Sequence, residues 1–217
     1  MIAMILAAGR GERLRPITAG TPKALVEVQG RSLLERHLDS IKAAGIETVV
    51  INLGWLGEGI AERIGSGQSY GLTVVYSPEG ENILETGGGI HRALPLLGSE
   101  PFLVVNADVF TDMPLPPAEL GDADAGHLVL VPTPAHKECG DFDLDDGRVV
   151  DSDDPALTFS GIAVYRPAFF ADCEAGRFPL APVLKAAARA GQLGGSLYEG
   201  VWEDVGTPER LAELNRR

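Results

Sequence analysis

Residues 2–6 are apolar without interruption, which is the pattern of a strand buried on both faces. Comparable runs return at residues 48–52, 72–76 and 102–106 and predict three further buried strands. Between the first two, Ser32-Leu33-Leu34-Glu35 spells a capping box, in which the serine oxygen and the glutamate carboxylate satisfy open amides at a helix start. Leu34, Leu38 and Ile41 then recur at helical spacing, with Gly45 as a left-handed stop. Helices are also predicted over 56–64 and 88–97. Strand alternating with helix defines an α/β fold, with a mainly parallel sheet covered by helices on both faces.

The rhythm changes after about residue 110. Short strands are predicted over 128–131, 141–144 and 148–151, the last two joined by the hairpin turn Asp145-Asp146-Gly147. A strand over 158–165, a helix start at Pro167, a helix over 180–190 ending at Gly191 and a strand over 197–202 follow. Thr207 caps a final helix that begins on Pro208. Prolines at 114–117 mark the boundary between the two rhythms, yet nothing there resembles a flexible linker. We expect one domain over 1–217, made of two halves that meet near residue 110.

The chemistry concentrates in loops that follow strands, where open parallel sheets bind ligands. The first strand runs into Leu6-Ala7-Ala8-Gly9-Arg10-Gly11-Glu12-Arg13-Leu14-Arg15-Pro16. Small residues and two glycines let the backbone approach a ligand closely, and Arg13, Arg15 and Lys23 add positive charge where its amides are exposed. Such a loop makes a phosphate cradle; an ordinary glycine-rich turn with solvated arginines is the plainer alternative. Glu85-Thr86-Gly87-Gly88-Gly89 precedes a helix, where glycines can admit a flat ring and Glu85 can accept from a ring N–H; a tight structural turn is the alternative. Asp108 closes Val104-Val105-Asn106-Ala107-Asp108, and Asp204 lies in Trp202-Glu203-Asp204-Val205-Gly206-Thr207. Both are acids at strand ends, positions that suit a hard divalent cation bridging phosphates or, more blandly, a turn.

Composition narrows the field. With 217 residues, 45% of them hydrophobic, the chain can bury a proper core and is not disordered. Against 31 acidic residues stand 18 basic ones, a net charge of −13, which argues against nucleic acid and anionic membrane as partners. An acidic protein that holds a polyphosphate must concentrate its cations locally or recruit a metal. Cys139 and Cys173 have no metal-ligand spacing and read as reduced thiols. Apolar stretches are too short to span a bilayer, and no signal-peptide pattern opens the chain, so a cytoplasmic location is expected.

Taken together, Leu-Ala-Ala-Gly-x-Gly-x-Arg-Leu-x-Pro, Pro22-Lys23, Asn106-Ala107-Asp108 and Trp202-Glu203-Asp204-Val205-Gly206-Thr207 resemble the sugar-1-phosphate nucleotidylyltransferase family across essentially the whole chain. Ser77-Pro78-Glu79-Gly80, Leu84 to Gly89, Gly140-Asp141-Phe142 and Leu157 to Ile162 are most similar to its compact uridylyltransferase branch of bacterial cell-wall recycling. The resemblance implies a Rossmann-like, GT-A-like nucleotidyltransferase fold, with the first half holding nucleotide and the second the sugar phosphate. It implies Mg2+-dependent transfer of UMP from UTP to a sugar 1-phosphate, N-acetylmuramate 1-phosphate in that branch, with release of pyrophosphate. Arg13 and Lys23 match the family's catalytic, triphosphate-binding pair, and Asp108 and Asp204 its metal ligands. Leu6, Ala7, Ala8, Gly9, Gly11, Glu12, Glu85, Gly87, Gly88 and Asn106 fall where it binds nucleotide. Asp141, Ser160 and Gly161 fall where it holds the sugar.

A phosphate monoester is already largely ionised near neutrality, its second pKa being about 6, so the attacking oxygen needs no general base. It needs in-line alignment and neutralisation of crowded charge. On that reading His37, His91, His127 and His136 carry packing or surface roles. Some features depart from the family. Ala107 stands for its usual glycine and Ala24 for its common proline, and Phe178-Pro179 lacks a following lysine, leaving Lys185 as a weak substitute for the acceptor-phosphate cation. Another acceptor and donor pair (glucose 1-phosphate, mannose 1-phosphate or phosphocholine with dTTP, GTP or CTP) is the alternative within the class. A non-catalytic nucleotide-binding regulator is the alternative outside it.

Overall fold

The computed structural model describes residues 1–80, 83–115 and 120–217; residues 116 and 117 of the proline boundary lie outside them. The first half contains β1 (Ala3–Leu6), a small hairpin of β2 (Glu27–Val28) and β3 (Arg31–Ser32), α1 (Leu33–Ala43), β4 (Thr48–Leu53) and α2 (Gly57–Ile64). β5 (Thr73–Pro78), α3 (Glu85–Leu97), β6 (Phe102–Asn106) and β7 (Val109–Thr111) complete it. The second half contains β8 (Gly126–Pro132), β9 (Asp143–Asp145), β10 (Arg148–Val150), β11 (Leu157–Tyr165), α4 (Leu180–Arg189), β12 (Leu193–Leu197), β13 (Trp202–Asp204) and α5 (Pro208–Leu214).

Nine strands from both halves join in one mixed sheet, ordered β5-β4-β1-β6-β11-β8-β12-β10-β9. β5, β4, β1 and β6 pair in parallel, as do β8 and β12, while β11 runs antiparallel to both β6 and β8. β1 explains its unbroken apolar run: Ala3 and Ile5 enter the core under α1 and α2, and Met4 enters the core under α3 and α4. Residues alternate between two covered faces, so neither face tolerates a polar side chain. The predicted capping box is present, with Ser32 Oγ accepting from the Glu35 amide at 3.2 Å and Glu35 Oε2 accepting from the Ser32 amide at 3.3 Å.

Three expectations change. The strand predicted over 197–202 is two strands, β12 and β13, separated by the turn at 198–201. β12 is hidden in the sequence because Gly194 and Gly195 weaken strand propensity. A Cβ on Gly195 would sit 2.8 Å from both Leu144 Cδ1 and Val149 Cγ2, so packing demands bare backbone there. α3 starts at Glu85, ahead of the predicted 88, and Pro167 opens only a 3₁₀ turn (Pro167–Phe170). A third core joins the two ends of the chain: Leu14, Val26, Val28 and Leu33 pack with Val205, Leu211 and Leu214.

Candidate active site

The C-terminal ends of β1, β4 and β6 open into a cleft of about 180 Å³. Leu6, Ala7, Ala8 and Gly9 line it from the first loop, Lys23 and Ala24 from one side, Glu85 and Thr86 from the start of α3, and Asn106 to Asp108 from the end of β6. β1 and β6 are in register here, with Leu6 opposite Asn106 and the Ala107 amide donating to the Leu6 carbonyl at 3.1 Å. Gly11 takes a left-handed φ of 60°, and a Cβ there would meet Thr18 Cγ2 at 2.9 Å, so glycine is required twice over. Gly9, in contrast, has no atom of the described residues beyond its chain neighbours within 4 Å of its Cβ position, so its side toward the cleft is open.

Lys23 and Asp108 form a direct ion pair and both face the cleft. Gly11, Glu12, Arg13 and Gly206 line a neighbouring recess that shares Lys23 with it. Asp204 reaches the same place from the far end of the chain. β13 pairs antiparallel with β7, Asp204 lies opposite Val109, and the Val205 amide donates to the Asp108 carbonyl at 2.9 Å. A Cβ on Gly206 would lie 3.2 Å from Asp204 Oδ2 and 3.4 Å from Arg13 Nη2, so this glycine lets the carboxylate and the guanidinium converge. The other oxygen, Asp204 Oδ1, accepts from Arg210 Nη1 at 2.5 Å and lies 3.4 Å from His136 Nε2. Two carboxylates, one in the turn before β7 and one at the end of the strand paired with it, beside a phosphate-type loop are a hard oxygen donor set, and they fit a divalent cation that takes its remaining ligands from phosphate and water. Among the described residues no cluster of three or more acids, histidines or cysteines forms a complete protein cage.

Other expected residues behave differently. Gly87 and Gly88 lie in the first turn of α3 and are buried: a Cβ would strike the Phe178 ring at 2.4 Å or the Gly176 carbonyl at 2.2 Å. Their bare backbone seats the helix on the 176–178 segment, and the cleft wall there is Glu85 and Thr86. The Glu85 carboxylate is engaged by Arg177, at 2.8 Å from Nε and 2.7 Å from Nη2. Gly161 (φ 80°) sits at the β11 bulge against the Asn106 amide, 2.5 Å from where its Cβ would be. Ser160 is buried, and its hydroxyl accepts from the Ile162 amide at 3.1 Å. Asp141 holds Lys137 and accepts from the Phe159 amide at 3.0 Å. Asp141, Ser160 and Gly161 thus flank the cleft without lining it.

Four site residues escaped the sequence reading. Asn52 Oδ1 accepts from the Ala7 amide at 2.6 Å while its Nδ2 donates to Glu79 Oε1 at 2.7 Å. Glu79 Oε2 takes the Leu84 amide at 2.7 Å, so this buried pair ties the first loop to the start of α3. The available signal was a polar residue closing an otherwise apolar strand. His136, expected to be structural or superficial, contacts Asp204, and Lys137 contacts Asp141. Lys185 belongs elsewhere: it pairs with the buried Asp151 at 3.3 Å. His37 is fully buried beneath the 106–109 turn; burial pushes its pKa down to about 4 despite the nearby Asp108, which keeps the ring neutral.

The profile of the MobA-like NTP transferase domain matches residues 3–138, and the chain belongs to that family. It is 47% identical over 222 residues to the N-acetylmuramate alpha-1-phosphate uridylyltransferase of Neisseria meningitidis serogroup B, covering 98% of this chain and 96% of that protein. The protein of the same name from Caulobacter vibrioides is 37% identical, with 98% and 97% covered. The fold is shared with the inositol-1-phosphate CTP transferase of T. maritima at a TM-score of 0.76 and 20% identity, over 99% of this chain and 94% of that one. Among the described residues no helix is long and apolar enough to cross a membrane.

Proposed function

We propose that this chain transfers UMP from UTP to N-acetylmuramate 1-phosphate, releasing pyrophosphate. The observation that carries the reading is the Lys23–Asp108 pair in the strand-end cleft, with Arg13 in the recess that shares Lys23 and Asp204 on the strand paired beside Asp108, in a chain similar over nearly its whole length to two uridylyltransferases. The first half, to about residue 110, holds the nucleotide, and the second presents the acceptor.

A phosphate oxygen of the acceptor attacks the α-phosphorus of UTP. One O–P bond forms, the bond from the α-phosphorus to the pyrophosphate oxygen breaks, and the electron pair leaves with pyrophosphate. No proton has to be removed first. Arg13 and Lys23 neutralise the charge that builds on the phosphoryl oxygens. Amides of the 7–11 loop orient the triphosphate, with Gly9 giving it access. Asp108 and Asp204 would hold the divalent cation, magnesium in our reading, which would supply neutralisation of the crowded phosphate charge.

Purified protein with magnesium, offered UTP, dTTP, GTP or CTP against a panel of sugar 1-phosphates and phosphocholine, is expected to release pyrophosphate fastest from UTP with N-acetylmuramate 1-phosphate. Asp108→Asn and Lys23→Ala should each lower kcat roughly a hundredfold or more, the scale of losing one preorganised charge partner, while circular dichroism shows an unchanged fold. Nucleotide binding without turnover of any pair would favour the regulator.

A further inference from the structure

The first loop is gripped where β4 ends. Asn52 Oδ1 accepts from the Ala7 amide at 2.6 Å, the Trp55 amide donates to the Ala8 carbonyl at 3.3 Å, and a Cβ on Gly54 would lie 2.6 Å from that same carbonyl oxygen. The grip continues away from the loop. Asn52 Nδ2 donates to Glu79 Oε1 at 2.7 Å, and Glu79 Oε2 accepts at 2.7 Å from the amide of Leu84, the residue directly before α3. Both side chains are buried, 3% and 7% exposed, and α3 closes over them. A Cβ on Gly89 would sit 2.7 Å from Glu79 Oε1 and 2.9 Å from Asn52 Nδ2, so the third glycine of Gly87-Gly88-Gly89 makes room for this pair.

The order of donors and acceptors along the relay is dictated by its ends. Ala7 and Leu84 each present a backbone N–H, which only donates and cannot turn round. Three consecutive hydrogen bonds between two such donors need one amide and one group that accepts at both of its ends, and a carboxylate is that group. We propose that Asn52 and Glu79 are positioning residues that fix the spacing between the phosphate loop and the cleft wall at Glu85 and Thr86, so that a nucleotide is held at base and triphosphate together. This inference rests on the nucleotide-binding reading above. A ligand that reaches both walls gains from their fixed spacing, because its second contact forms at high effective concentration once the first is made. A polyphosphate without a nucleoside meets only the loop and gains nothing from the relay.

Calorimetric titration with UTP and, separately, with inorganic tripolyphosphate, both with magnesium and without acceptor, tests this in Glu79→Gln, Asn52→Asp and the double exchange. Both changes are isosteric. Glu79→Gln sets one N–H against another somewhere in the relay whichever way the amides turn, and Asn52→Asp sets carboxylate against carboxylate. Each single change should raise the Kd of UTP about ten- to hundredfold and leave that of tripolyphosphate within about twofold. The double exchange satisfies all three hydrogen bonds again, with the carboxylate at position 52 and the amide at position 79, and should recover most of the UTP affinity. An unchanged UTP Kd in Glu79→Gln overturns the proposal. So does a parallel loss for tripolyphosphate, because the relay would then merely brace the loop, and so does wild-type protein that binds UTP but not tripolyphosphate. A double exchange no better than its single changes also overturns it, as do single variants that circular dichroism shows unfolded, since the relay would then serve folding alone. Wild-type protein that binds no nucleotide sinks the proposed function and this inference together, whereas wild-type binding with unaltered variants sinks this inference alone.

Discussion

His37 lies in α1 with its ring buried under the turn that carries Asp108, and its Nε2 has no hydrogen-bond partner among the described residues. An ordinary histidine titrates near 6.5, and this one is held down to about 4. Between those values the unfolded chain takes up a proton that the folded chain refuses, so stability falls as the pH drops through the window and is fully present above it. The complete window is worth about 3 kcal/mol. Urea midpoints measured from pH 7 to pH 4.5 should therefore decline less steeply in His37→Gln than in the parent. Equal slopes would remove the histidine from the acid sensitivity. A buried neutral ring in this place was not legible from the sequence, where His37 reads only as a helix residue of partial burial. The charge partners of the site were legible as residue types, because Lys23 and Asp108 sit in tight local motifs. Their pairing across the sheet was not, since β1 and β6 are joined only by tertiary structure.

Two kinds of glycine populate the loops and helices around the cleft, and the sequence writes them identically. At Gly88 in α3 an added methyl would press on the Gly176 carbonyl, and backbone cannot swing aside as a side chain can. Gly88→Ala should cost about 1–3 kcal/mol by overpacking and lower Tm by several degrees. Gly9→Ala should leave Tm almost unchanged, because nothing among the described residues meets the new methyl, and should weaken nucleotide binding in a calorimetric titration. If Gly88→Ala melts like the parent, the close packing of α3 on residues 176–178 is not a constraint. Elements with strong local grammar were readable: the apolar run of β1, the capping box of α1 and the Thr207-Pro208 start of α5. β12 was unreadable because neighbours, and not its own propensity, call for Gly194 and Gly195. Residues 136–137 were missed because their partners, Asp204 and Asp141, arrive through distant strand pairing.

Across the whole molecule a net charge of −13 is carried by a protein expected to hold a polyanion. Four acids at or beside the site already have a basic partner: Asp108 with Lys23, Asp204 with Arg210, Asp141 with Lys137 and Glu85 with Arg177. A triphosphate that draws Lys23 toward itself leaves the Asp108 carboxylate without compensation in an acidic surround. Chelating divalent cations should weaken UTP binding by roughly tenfold or more, since an uncompensated, partly desolvated charge costs more than about 1.4 kcal/mol. That loss should shrink in Asp108→Asn, as a calorimetric titration with and without chelator would read. Equal UTP affinity in both conditions would dissociate the carboxylates from the metal. The packing of Leu14, Val26, Val28 and Leu33 against Val205, Leu211 and Leu214 has its own consequence for how the protein is made. During synthesis the phosphate loop leaves the ribosome long before its second acid and the helix that follows it. A nascent chain can therefore pair β1, β4 and β6 while the second acid of its site is still unmade, so the framework of the cleft precedes its chemistry.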